Sequence, residues 1–364
     1  MKLITFLLII ILSPFFLIDC NPTPSSNYMI LDKVEYVDRF PQIFTLQNGQ
    51  ETNIDLIGIQ GFAIYDSLII LTTSNKNGFW SFISLPAYNY YGDFLTIGQG
   101  PLEFLFPLFA EKAIFYKENN QLYVSMYDMQ KGEIFKMNID ESIKTKKLHL
   151  FKEASINPFL PTFARIDSTK FFCKEIYSNN VVIQQPRYVL DNNTKIIPAI
   201  LQKLNQSSVR ASGDLNILTT ITKFSNKHNL IIEAPVYLNY INMYSLDGSF
   251  GKTICVGNRL DDIDEIQNKG EWERIQTHED LRIFFNFWGV LLIDEDRKTY
   301  QTGRRKLPSI LLFDWQGEPL AELKLNRFIT SFDIDFVHGH LYTLDIHSDE
   351  FYKYDIKDIL EKLR

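Results

Sequence analysis

Ala63-Ile64-Tyr65-Asp66-Ser67-Leu68-Ile69-Ile70 sets an apolar run, a short polar turn and a second apolar run side by side. The arrangement returns at Ile114-Phe115-Tyr116-Lys117-Glu118-Asn119-Asn120-Gln121-Leu122-Tyr123-Val124. Further copies span Phe163 to Phe172, Thr222 to Ile232, Phe285 to Leu292 and Asp333 to Tyr342. Runs of Ile, Leu, Phe and Tyr broken by polar turns read as antiparallel hairpins, because stiff or flat side chains pack well on a pleated surface. Third strands follow in several copies. Ile241 to Gly248 ends in Asp247-Gly248, Ile310 to Gly317 ends in Gln316-Gly317, and Phe351 to Ile356 lies near the end of the chain. The glycine of each such pair supplies the positive φ that a tight turn needs.

The six copies start near residues 61, 110, 163, 217, 286 and 329, at intervals of about 49, 53, 54, 69 and 43. Propeller blades repeat at roughly 40–50 residues, so one interval is enlarged. The last copy shows three strands, around 329–337, 340–346 and 350–356, while the strand-like stretch Val34 to Leu46 precedes the first full copy. A blade needs four strands, and a closed ring removes exposed edges. The chain is therefore expected to be an all-β, six-bladed β-propeller over residues 34–364, closed by an N-terminal strand that completes the last blade. Asn258 to Leu281, with Asp261-Asp262-Ile263-Asp264-Glu265, reads as an acidic, partly helical insertion on one face of the ring.

Composition supports a large buried core. Of 364 residues 45% are hydrophobic and 22% charged, which excludes the disordered class. Lys plus Arg total 37 against 44 for Asp plus Glu, a net charge of −7. Without a basic block the chain is a poor match for nucleic acid.

Met1-Lys2 precedes an apolar run from Leu3 to Ile18, followed by Asp19-Cys20. The run is too short and interrupted for a membrane span, which needs about 20 residues. It resembles a bacterial lipoprotein signal, with Leu17-Ile18-Asp19-Cys20 in the lipobox position. Residues 1–19 are expected to be removed, Cys20 to carry the lipid, and 20–33 to form a flexible polar tether around Asn-Pro-Thr-Pro-Ser-Ser-Asn at 21–27. Two acyl chains make a stable anchor, so the membrane is engaged through lipid alone. The expected location is the outer membrane of a bacterial envelope, on its periplasmic side. Cys173 and Cys255, in different strands, are expected to remain separate core residues.

Ile97-Gly98-Gln99-Gly100-Pro101-Leu102-Glu103-Phe104 resembles the Gly-x-Gly-Pro-x-Glu-Phe signature of six-bladed propeller lipoproteins of the Bacteroides type, NHL-like or TolB-like. Phe313-Asp314-Trp315-Gln316-Gly317-Glu318-Pro319 is similar to that family's Phe-Asp-Trp-x-Gly-x-Pro segment. The resemblance implies a propeller in the cell envelope and no particular activity. The motifs also have a structural reading. Gly98 and Gly100 permit a tight turn, Glu103 satisfies backbone N–H groups, and Trp315 packs between sheets.

No Gly-x-Ser-x-Gly elbow, Walker loop or His-Glu-x-x-His occurs, so no catalytic residue is assigned, and neither metal nor cofactor is expected. His338-Gly339-His340 falls in a turn by register, where polar residues need no ligand to explain them. The innermost strands of a propeller line one shared channel, whose mouth is the usual ligand site. By register these strands contribute Lys112, Arg165, Lys223, Asn286 and Asp333, three cations among them, as candidate binding residues for an anionic or sugar-like ligand. The function expected is that of a single-chain binding or scaffolding module for an envelope protein or glycan, without covalent chemistry. The alternative is a propeller hydrolase or lyase acting on a carbohydrate or lactone in the channel.

Overall fold

In the computed structural model, which describes residues 26–52, 54, 56–157 and 159–363, the apolar runs become six antiparallel meander sheets. The first consists of Ile59–Tyr65, Leu68–Thr73, Trp80–Ser84 and Tyr90–Phe94. The second runs from Ile114–Glu118 to Leu150–Ser155, and the third from Thr162–Arg165 to Thr194–Ile196. The fourth to sixth begin at Thr220–Ser225, Ile275–Ile283 and Ser331–Asp335. A small three-stranded sheet takes two strands from within the third (Tyr177–Ser178, Val182–Gln184) and one from after it (Val209–Arg210). The architecture is all-β and propeller-type.

The reason such strands read as nearly unbroken apolar runs lies in the packing. Each sheet is covered on both faces by its neighbours, so alternation between a wet and a dry face is lost. The core is accordingly divided into six clusters, each between two consecutive sheets. Phe82, Phe94, Phe104 and Phe135 lie between the first and second, and Ile134, Phe171 and Tyr188 between the second and third. Ile232, Met243, Trp288 and Phe313 fill the space between the fourth and fifth. One cluster joins the two ends of the series: Ile59, Phe62 and Leu71 of the first sheet pack on Tyr342, Leu344 and Phe351 of the sixth.

The N-terminal segment runs along the outer edges of three sheets in turn. Val34–Val37 pairs in parallel with Gly251–Val256 of the fourth, and Ile43–Leu46 in parallel with Pro319–Leu325 of the fifth. Gln50–Glu51 then pairs antiparallel with Glu350–Asp355 of the sixth. The last sheet thus takes its fourth strand from the N-terminal region, but from Gln50–Glu51. The Val34 to Leu46 stretch expected there covers two earlier edges instead, where unpaired backbone groups accept any strand of suitable shape.

Two further expectations are corrected. Residues 28–33 are not loose tether. Met29 and Leu31 are buried, the Met29 amide donates to Tyr240 Oη (3.0 Å), and the Leu31 amide donates to Thr253 Oγ1 (2.8 Å). The fifth sheet begins at Ile275, eleven residues before the start read from hydropathy, so only the Asn258–Arg274 part of the acidic stretch is insertion, with a short helix at Ile263–Gln267. The signal segment and Cys20 lie outside the described residues. Among the described residues no helix is long and apolar enough to cross a membrane. Cys173 and Cys255 are both buried and free.

Candidate functional site

The first strands of the third, fourth, fifth, sixth and first sheets contact one another in turn, and Asp280, Arg282 and Asp333 meet where the fifth, sixth and first sheets converge. Asp280 and Arg282 are two apart on one strand and so share a face. Arg282 Nε donates to Asp280 Oδ2 (2.8 Å), Nη1 to Asp333 Oδ2 (3.3 Å) and Nη2 to the Phe62 carbonyl (3.1 Å). Both carboxylates also accept backbone bonds across sheets: Phe332 N donates to Asp280 (3.1 Å), and Ile64 N to Asp333 (2.8 Å). Burial works against the guanidinium charge, but Asp280, Asp333 and Glu111 outweigh it and raise its pKa. This cluster is a clasp that ties three sheets together with bonds it makes internally.

Lys223 on the fourth sheet donates to the carbonyl of Glu111, which sits in a short 3₁₀ turn (Ala110–Lys112) leading into the second. Burial and the nearby Arg282 push the Lys223 ammonium down to about 8, and burial pushes the Glu111 carboxyl up. Glu111 lies so close to Gly61 that a Cβ there would stand 2.5 Å from its Oε2, so the approach requires glycine. Glu111 Oε2 is buried without a hydrogen-bond partner among the described residues.

The five residues expected in the channel therefore separate. Lys223 and Asp333 come together at the centre. Arg165 turns to the groove between the second and third sheets, where it pairs with Glu153 (2.8 Å) and lies over the Tyr116 ring. Lys112 is exposed, above the Phe109 ring. Asn286 is not on an innermost strand; it is exposed in the turn between Ile275–Ile283 and Phe287–Asp296. The centre holds three carboxylates, Asp280, Asp333 and Glu111, where the sequence reading placed one. Among the described residues no group of three His, Cys, Asp or Glu side chains is placed to hold a metal ion. Asp280, Arg282 and Glu111 escaped the sequence reading, although the i, i+2 charges of Asp280-Leu281-Arg282 were the available signal.

Two cavities, of about 340 and 320 Å³, lie away from this centre. The larger is beside Gln50, His340 and Lys353 at the outer edge of the sixth sheet. The smaller is among the loops of the fifth and sixth sheets, beside Arg304 and Arg327.

The Gly-rich motif builds a third feature. Gly100 N donates to Glu103 Oε2 (2.8 Å), and a Cβ on Gly98 would stand 2.0 Å from that oxygen. Folding the loop over Glu103 buries Phe104 and turns Leu102, Leu105 and Phe106 outward. Lys131 Nζ bonds the Gly100 and Glu103 carbonyls, and Phe159 N donates to Met129 O (2.7 Å), so three loops are joined. These joined loops carry five exposed apolar side chains, Leu102, Leu105, Phe106, Met129 and Phe159, with Phe106 64% and Phe159 60% exposed. Trp315 of the second motif is buried and stacks on His228 (4.1 Å) between the fourth and fifth sheets.

No protein-family model matches the chain, and no curated protein matches it. Among solved structures it is similar to a Bacteroides fragilis protein inferred to be exported, at 10% identity and a TM-score of 0.52, over 88% of this chain and 98% of that one. It is also similar to a member of the DUF4221 family from Bacteroides vulgatus, at 10% identity and a TM-score of 0.49, over 85% and 96% of the two chains. Regucalcin of Agrobacterium tumefaciens, a calcium-binding protein, aligns at 8% identity and a TM-score of 0.42 over 86% and 95%. At such identities the likeness is one of fold.

Proposed function

We propose that this chain is an exported binding or scaffolding module of the bacterial envelope, of the NHL-like or TolB-like lipoprotein kind, held to the membrane through Cys20. It grips an envelope protein through the loop face that carries Phe106, and does so without covalent chemistry. A glycan is the second candidate partner. The observation that carries this reading is the set of Leu102, Leu105, Phe106, Met129 and Phe159, five exposed apolar side chains on loops cross-linked by hydrogen bonds. Exposed apolar side chains gathered on one loop face favour an interaction site, because water leaves them at a gain when a partner covers them. Phe106→Asp combined with Phe159→Asp is expected to abolish stoichiometric co-purification of a defined envelope partner while the thermal midpoint of the free protein is retained. Unchanged co-purification overturns the assignment of this face. Cys20→Ala is expected to move the protein from the membrane to the soluble fraction; continued membrane retention refutes the anchor.

One observation favours a second reading. Glu111 Oε2, buried without a hydrogen-bond partner among the described residues near the centre, is a candidate acid or base of the kind that a channel hydrolase or lyase acting on a carbohydrate or lactone requires. Turnover of such a substrate that disappears in Glu111→Gln, with the fold kept, is the result that this reading predicts.

A further inference from the structure

Arg304 and Arg327 both line the 320 Å³ cavity among the loops of the fifth and sixth sheets. Arg304 follows the short helix Arg297–Thr302, at a φ of +35°, and Arg327 lies between Pro319–Leu325 and Ser331–Asp335. Each guanidinium is laid on an aromatic ring: Arg304 on Phe328, 4.9 Å from the centroid, and Arg327 on Tyr352, at 3.9 Å. Stacking of this kind holds a guanidinium plane in place and leaves its N–H edge free to bond.

Hydrogen bonds leave part of that edge unused. A guanidinium carries five N–H donors and no acceptor. Arg304 Nη1 and Arg327 Nε are both buried and have no hydrogen-bond partner among the described residues. Buried donors are nearly always satisfied, so two in one cavity call for an explanation. Acidic neighbours do not supply it. Asp345 Oδ2 forms an ion pair with Arg304 Nη1 at 2.7 Å without a hydrogen bond, and it accepts from Ser348 Oγ (2.9 Å), while Asp345 Oδ1 accepts from His347 N (3.1 Å). Glu350 is 3.8 Å from Arg327, beyond hydrogen-bond range. Asn326 is tied at both ends, to the Gln47 carbonyl and the Tyr354 hydroxyl. The unused donors on the wall are those of the two arginines.

We infer that this cavity is a binding site for a small molecule bearing a carboxylate or phosphate, whose oxygens accept hydrogen bonds from the guanidinium groups of Arg304 and Arg327. Both anions match the planar fork of a guanidinium, and each charge-assisted bond is about twice as strong as a neutral one. The volume is at the lower end of ligand pockets, which leaves room for a small organic body beyond the anion. Because Asp345 and Glu350 balance the two positive charges, recognition depends on hydrogen-bond geometry more than on net charge. The site is separate from the Phe106 face and does not depend on its role.

Titration calorimetry with succinate and with glycerol 3-phosphate, at ionic strength matched with sodium chloride, tests the inference in the full mature chain. At least one probe should bind with a Kd below about 10 mM, and the arm that binds identifies the anion. In ¹⁵N spectra the Arg327 Nε–H signal, assigned by its loss in Arg327→Gln, should shift with the same midpoint. Arg327→Gln and Arg304→Gln should each weaken binding about tenfold or more. Arg327→Lys keeps the charge, loses the fork and leaves the Arg304 loop untouched, so it should also bind about tenfold more weakly even if Arg304→Gln fails to fold. Failure of both probes to bind below about 10 mM, or equal binding by wild type and Arg327→Lys, overturns the inference.

Discussion

Replacing Glu233 should cost this fold far more than replacing its partner Lys174. The two meet Arg187 between the third and fourth sheets, and all three are buried: the side chains of Lys174 and Glu233 are 0% exposed and that of Arg187 1%. Arg187 Nε donates to Glu233 Oε2 at 2.8 Å, and Lys174 also bonds Glu233. Two cations thus share one carboxylate. Burial opposes ionisation of Glu233, but Arg187 and Lys174 outweigh it and hold its pKa below the usual carboxylate range. For Lys174 the balance runs the other way, since burial and the adjacent Arg187 push its ammonium down to about 7. Arg187–Glu233 is therefore the charged pair, and Lys174 the member that titrates. Glu233→Gln leaves Arg187 a buried cation without a counter-charge and drives Lys174 to its neutral form, which costs about 3–5 kcal/mol. That is about a fifth or more of the roughly 5–15 kcal/mol by which a domain is stable. Lys174→Met leaves the Arg187–Glu233 pair intact and substitutes an apolar chain of similar length, so it should change stability by less than about 1 kcal/mol. Urea denaturation midpoints at pH 7 measure both. The pH dependence supplies a second test. The native pKa of Lys174 lies below that of the unfolded chain, so the unfolded state binds more protons between pH 7 and about 10.5. Wild-type stability should rise with pH across that window, and the Lys174→Met variant should lack this component. Equal destabilisation by the two substitutions, or no loss in Glu233→Gln, would refute the reasoning.

Other parts of the structure give equally direct expectations. Arg282→Met strands Asp280 and Asp333 in the core and should cost about 3–5 kcal/mol, with amide exchange rising first where the first and sixth sheets meet. Gly98→Ala forces Glu103 off the Gly100 amide and should lower stability by about 1–3 kcal/mol, read as faster proteolysis within residues 96–106. Burial pushes the Glu279 carboxyl up to about 7, with Asp280 adding to the shift against the bond from Gln276. Its native form holds a proton that the unfolded chain releases, so its stabilising contribution is complete below about pH 4.5 and is lost as pH rises through 7. Glu279→Gln should therefore be more stable than wild type at pH 8, by at most about 3 kcal/mol, and the advantage should vanish near pH 4.5.

The fold was legible wherever a strand is buried on both faces. Leu68–Thr73 and Leu230–Pro235 are apolar because neighbouring sheets cover both sides, and a hydropathy reading finds them at once. It fails on the strand that faces the centre. Gln276-Thr277-His278-Glu279-Asp280-Leu281-Arg282 is mostly polar because it lines the meeting point of the sheets. A hydropathy reading therefore starts the fifth unit at its second strand, draws Asn286 into the channel and passes over Asp280 and Arg282. Glu111 was hidden for a different reason: it lies in a 3₁₀ turn that no periodicity marks. Gln50–Glu51 and the two-residue strands of the small three-stranded sheet are too short to carry a pattern, and only tertiary pairing defines them. Met29 and Leu31, next to a polar segment, read as tether until Tyr240 and Thr253 are seen to hold their backbone. The Gly98 to Phe104 motif was read correctly as a built turn, but the neighbours that it displays, Leu105 and Phe106, became visible only with the loops from 129 and 159 beside them.

The central claim is that the face carrying Phe106 is where this module meets its partner. The most direct measurement places a photo-crosslinking amino acid at Phe106 and, in a separate variant, at Phe285, an exposed residue in the turn after the first strand of the fifth sheet, for crosslinking in native membranes. A discrete adduct of one mass from position 106, with none from 285, is the predicted result. Adducts of the same partner from position 285 alone, or a bare chain at both positions, would contradict it.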